Sequence, residues 1–68
     1  MPMKVREILG VLFQDGWYIF SQKGSHMQLK HPEKIGRVTV PNHGLGKEVD
    51  IKTEKSILKQ AGIGDKET

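Results

Sequence analysis

The sequence predicts an α+β domain of order α-β-β-β-α, with two helices covering one face of a three-stranded antiparallel sheet. Three observations lead there. Apolar residues recur at helical spacing near the N-terminus, a Gly-Ser pair divides two strand-like runs in the middle, and a second helical pattern returns after a polar loop. With 68 residues and no cysteine, the chain has room for one apolar core and no disulfide or thiolate zinc site to reinforce it. The patterned part runs over 1–63 as a single domain, and the polar GDKET of 64–68 is expected to fray.

Val5, Ile8, Leu9, Leu12 and Phe13 fall at i, i+3, i+4, i+7 and i+8, the spacing of one apolar helix stripe. Asp15-Gly16 ends that helix, with Gly16 suited to the left-handed position after it. Gly10 lies inside it and is expected to allow close packing against the sheet. WYIFSQK over 17–23 has the aromatic and β-branched content of a strand. HMQLKH over 26–31 alternates, with Met27 and Leu29 on one face and His26, Gln28 and Lys30 on the other. Gly24-Ser25 between them fits a two-residue type II′ turn. RVTVP over 37–41 is a third strand, with Val38 and Val40 inward, Arg37 and Thr39 outward, and Pro41 as its stop. A polar loop over 42–52 leads to Thr53, the expected N-cap of a helix carrying Ile57, Leu58 and Ala61; Gly62 closes it and Ile63 folds back.

The Gly-Ser turn sets Lys23 opposite His26 and Ser21 opposite Gln28, and the expected register keeps Tyr18 and Phe20 inward with Met27 and Leu29. The uncovered face then shows Lys23, His26, Gln28, Lys30, Arg37 and Thr39, a surface suited to a phosphate backbone. Charge points the same way. Residues 17–47 hold five cations against the single anion Glu33, while the rest of the chain is nearly balanced, and all three histidines fall in that stretch. A solvated lysine-rich surface is the plain explanation of such a run, and a polyanion such as RNA is its competitor.

His26 and Lys30 lie about 13 Å apart along a strand, too far to act on one phosphorus. Lys23 lies about 5 Å from His26 across the hairpin, close enough to stabilise charge developing there. It also favours the neutral imidazole that a general base requires. His31 points to the other face and serves packing or the turn; His43, in a loop, is a second acid or base candidate. His26 and His31 cannot share an ion, so no metal site and no cofactor is expected. GLGK at 44–47 lacks the spacing of a phosphate-binding loop, and Ser25 has no orienting carboxylate nearby, which leaves it a turn former. No run approaches the roughly 20 apolar residues of a membrane span. With no cysteines, a cytoplasmic protein without membrane contact is expected.

GSH at 24–26, VPNHG at 40–44 and SILKQAGI at 56–63, in that order after an amphipathic first helix, resemble the HicA family of toxins. The likeness extends over nearly the whole chain. It implies a fold like the double-stranded-RNA-binding domain, and the activity of a ribosome-independent mRNA interferase of bacterial and archaeal type II toxin–antitoxin systems. It also implies a HicB antitoxin as the partner that covers the active face. The active histidine of the Gly-Ser-His motif corresponds to His26, and the histidine after Val-Pro corresponds to His43. Two positions depart from the family pattern: Met27 stands where a second histidine is frequent, and Ile51-Lys52 replaces a Pro-Gly before the last helix.

Residues and resemblance together predict a metal-independent mRNA endonuclease with His26 as general acid/base. Lys23, Ser25 and His43 are the candidates for catalytic support, and Lys23, Gln28, Lys30, Arg37 and Thr39 for RNA binding. The alternative is a non-catalytic double-stranded-RNA-binding module of the same fold; a protein-interaction domain is the third reading.

Overall fold

The computed structural model describes residues 3–63. The elements are α1 (Val5–Asp15), β1 (Tyr18–Lys23), β2 (His26–Lys30), β3 (Val38–Pro41) and α2 (Ile51–Gln60), the expected α-β-β-β-α order. The strands form one antiparallel sheet with β2 in the centre. Val5, Ile8, Leu9 and Leu12 of α1 and Ile57 and Ala61 at α2 bury themselves with Met27, Leu29, Val38 and Val40 of the sheet, which fixes both helices on the same face. Among the described residues no helix is long and apolar enough to cross a membrane.

α1 forms because its apolar residues make one stripe and because the Glu7 side chain accepts the otherwise unpaired Lys4 N–H at 2.8 Å. It stops at Gly16, whose φ of 106° is left-handed, while the Trp17 N–H closes back on the Leu12 carbonyl at 3.0 Å. A side chain at position 16 would also meet His31, whose Nε2 lies 2.7 Å from where a Cβ would stand. Two expectations for α1 are corrected. Phe13 lies 48% exposed, because at eight residues from Val5 it has rotated about 80° to the stripe's margin. Gly10 does not pack on the sheet: it faces outward, with no atom within 4 Å of an added Cβ.

The register of β1 departs from the expected one. Lys23 pairs with His26 and Ser21 with Gln28 as read from the turn, but an irregularity between Ile19 and Ser21 brings Ile19 opposite Leu29 and Tyr18 opposite Lys30. Tyr18 and Phe20 are therefore not inward; they are 49% and 38% exposed. The physical reason is Trp17. Held by the Gly16 turn and by a 3.1 Å hydrogen bond from its Nε1 to Asp15, it fills the core ahead of β1, so the alternation starting from it turns Tyr18 out. The extra residue at Phe20 then restores the phase at the hairpin. Gly24 has φ 56° and Ser25 does not share the positive sign, the combination a type II′ turn requires.

α2 also begins earlier than expected. Asp50, not Thr53, is its N-cap, accepting the Lys52 N–H at 3.1 Å, and Thr53 lies in the first turn. The chain is delivered there by Val49, which is buried and donates to the Met3 carbonyl, beside a bridge between Lys4 and Glu48. At the other end Gly62 takes φ 72°, the Ile63 N–H returns to Leu58, and Ile63 packs on the core as expected. The tail 64–68 lies outside the described residues.

The connection between β2 and β3 is anchored by His31. Its Nδ1 accepts the backbone N–H groups of Glu33 and Lys34 at 3.0 and 3.1 Å. A nitrogen accepting two donors carries no proton, so Nε2 bears it and donates to the Asp15 carbonyl at 2.6 Å. The ring also meets Trp17 edge-on, centroids 5.2 Å apart. Lys34 then donates its ammonium to the Asp15 carboxylate and, at 2.9 Å, to the Ala61 carbonyl.

Candidate functional site

With Met27, Leu29, Val38 and Val40 committed to the core, the alternate positions of β2 and β3 necessarily face away from the helices. His26 opens β2 there, exposed, with Lys23 opposite it on one side and Pro41 on the other. Gln28 sits in the middle of the face, between Ser21 of β1 and Thr39 of β3. Lys30 closes the row at the far end, with Arg37 nearby: the Lys30 ammonium lies 4.5 Å and the Arg37 guanidinium 5.5 Å from the centre of the Phe20 ring. Two clusters result, Lys23 with His26 at the turn end and Lys30 with Arg37 around Phe20 at the other, joined by Gln28 and Thr39.

Ser25 lies in the turn itself, where its carbonyl accepts the Asn42 N–H. That contact carries the ladder past Pro41 and holds the start of the 42–50 loop against the residue that precedes His26. Asn42 is fixed further by its side-chain amide on the Met27 sulfur at 3.6 Å and by the Gly44 N–H on its Oδ1 at 2.9 Å. His43 follows it, exposed, on the rim of a groove of about 430 Å³ lined also by Val5, Pro41, Lys47, Glu48 and Asp50. The groove thus opens at the same end of the sheet as His26. His31, by contrast, is apart from the face, its ring spent on Asp15, Glu33 and Lys34.

Electrostatics follow this division. On the helical side Asp15 is held below the ordinary aspartate range chiefly by the hydrogen bond from Lys34, against the opposing effect of partial desolvation. The sheet side carries Lys23, Lys30 and Arg37 and no acidic residue on its outward strand positions. Among the described residues, no group of three or more His, Cys, Asp or Glu gathers closely enough to hold a metal ion. Chemically, the face presents an exposed imidazole beside an ammonium, on a cationic surface with room for an extended anion.

Sequence reasoning missed Tyr18, Phe20 and Asn42. A strand phase counted from Trp17 places both Tyr18 and Phe20 outward, so that signal was available; the irregularity that reconciles this phase with the outward Ser21 and Lys23 has no residue signature in YIFS. Asn42 is polar loop in any pattern reading, and only the folded ladder gives it work.

A family model described as the HicA toxin of bacterial toxin–antitoxin systems matches residues 5–63. The chain belongs to the HicA toxin family. Among solved structures, a similar architecture occurs in a chain of a toxin–antitoxin complex from Streptococcus pneumoniae, 32% identical, with a TM-score of 0.72. That alignment covers 91% of this chain and 100% of the other. No curated protein matches. The HicA match runs from the first residue of α1 to the Ile63 that folds back on the core, so the Gly24-Ser25-His26 hairpin, the Asn42-His43 segment and the whole open face fall within it.

Proposed function

We propose that this HicA toxin is an mRNA endonuclease working without a metal, with His26 as its general acid/base. The observation that carries the reading is the exposed His26 standing opposite Lys23 at the end of a cationic sheet face that no helix covers. Neutral His26 takes the proton of a ribose 2′-hydroxyl, the oxygen bonds to the adjacent phosphorus, and the 5′-oxygen leaves, giving a 2′,3′-cyclic phosphate. Lys23 stabilises the charge that builds on the phosphoryl oxygens. The leaving oxygen takes its proton from His43 or from water, and the tether from Asn42 to Ser25 supports His43 in that part. Lys30 and Arg37 hold flanking phosphates, while Gln28 and Thr39 supply hydrogen bonds between the two cationic clusters.

The toxin acts on RNA in the cytoplasm, and a HicB-type antitoxin neutralises it by covering the same face. Support for the partner comes from the related chain, which belongs to a toxin–antitoxin complex.

The test is induction of the chain in cells, with and without His26→Ala, followed by inspection of bulk RNA and by cleavage of a defined transcript in vitro. His26→Ala should slow cleavage about 10²- to 10⁴-fold while RNA binding and the fold persist. A variant that cuts at the parental rate overturns the assignment of His26. A parental chain that binds duplex RNA and never cleaves it is the non-catalytic module instead.

A further inference from the structure

Phe20 is the residue the hairpin treats most unusually. It is an aromatic side chain that the phase set by Trp17 turns onto the uncovered face, at the strand irregularity, still 38% exposed, with Lys30 over its ring at 4.5 Å and Arg37 at 5.5 Å from the ring centre. Tyr18, half exposed, stands beside it, opposite Lys30. Two cations brought to one ring repel each other unless an anion arrives between them, and a ring left at the surface forgoes burial. Both features suit one chemistry: a nucleobase that takes a cation's place over the aromatic ring while its phosphates draw Lys30 and Arg37 aside.

We infer that Phe20, flanked by Lys30 and Arg37, is a base-stacking subsite that selects single-stranded over duplex RNA. The inference deepens the proposed nuclease reading and rests on it for the identity of the polymer. Stacking on a side chain requires a base whose face is free, and in a duplex both faces are taken by neighbouring pairs. Position fits as well. The ring stands with Lys30, four residues along β2 from His26, which is about 13 Å at strand spacing and within the span of a short single strand laid along the face. A base held there belongs to a nucleotide close to the phosphate that His26 and Lys23 address. The subsite thus sets the register of the strand at the reacting group, with Phe20 as a positioning residue and Lys30 and Arg37 as its phosphate clamps.

The experiment measures binding in a His26→Ala background, so that cleavage does not consume the probe, using a short single-stranded RNA and a duplex of the same sequence. The single strand should bind more tightly. Phe20→Leu, which keeps an apolar surface but cannot stack, should weaken it about 5- to 100-fold and leave duplex binding unmoved. Phe20→Trp should retain the affinity, and its new surface indole should be quenched by the single strand, a signal the buried Trp17 does not give. Equal single-strand affinity for Phe20→Leu and its parent, or preference for the duplex, overturns the subsite. Failure of the two readings is separable: a chain that cleaves RNA through His26 but ignores Phe20→Leu loses only the stacking, whereas one that never cleaves but loses single-strand affinity with Phe20→Leu keeps the subsite and loses the nuclease.

Discussion

His26 and His31 are five residues apart on one short stretch and have opposite fates. One opens β2 toward solvent; the other has every polar atom of its ring engaged by backbone. His31→Phe keeps the volume against Trp17 but strands the Asp15 carbonyl and the Glu33 and Lys34 N–H groups. It should cost about 1–3 kcal/mol in urea unfolding, with RNA cleavage per folded molecule unchanged. Asp15 carries a pH signature. Its folded carboxyl titrates below the unfolded one because Lys34 donates to it, so its contribution to stability is complete above the ordinary aspartate range and disappears as pH falls through the lowered folded value. Asp15→Asn should flatten the stability curve below about pH 4 relative to the parent; curves that stay parallel there would deny the Lys34 contact its weight. The role of His31 in packing and the turn was legible from its position before Pro32, because strand parity alone sends it away from His26. Its particular partners were not, since Asp15 lies sixteen residues earlier and meets it only once α1 is docked.

At the scale of elements, β2 and β3 could be read directly, because both alternate without interruption and both have one face buried. β1 could not, because its phase is set from two ends that disagree: Trp17 dictates one parity, the Gly24-Ser25 turn the other, and Phe20 absorbs the difference. The start of α2 was hidden for a related reason. Ile51, Lys52 and Thr53 carry no stripe of their own, and the helix begins at Asp50 because Val49 is pinned to Met3 just before it. Asp50→Ala should therefore lower stability by about 1 kcal/mol, read as a drop in thermal midpoint, whereas Thr53→Ala should change it by no more than a few tenths of that. Gly16→Ala is a harsher change than either. It forces a side chain into left-handed backbone and against the His31 ring, and should destabilise the chain by more than the cap substitution.

For the whole molecule, one sheet face carries the core and the other is left to function, a division already visible in HMQLK and RVTV. The core is small enough that each buried residue counts: Ile57→Ala should cost about 2–5 kcal/mol, a large part of what a domain of this size holds in reserve. The open face should respond to salt. Lys30→Glu should reduce the slope of log affinity against log salt by about one or more, and an unchanged slope would put the RNA elsewhere. What no pattern in the sequence could convey is how the two helices are fastened where they end. Lys34 bridges the last residue of α1 and the carbonyl of Ala61 after α2 with one amine. Acetylation of that amine would silence its charge and unclasp both helix ends in a single event.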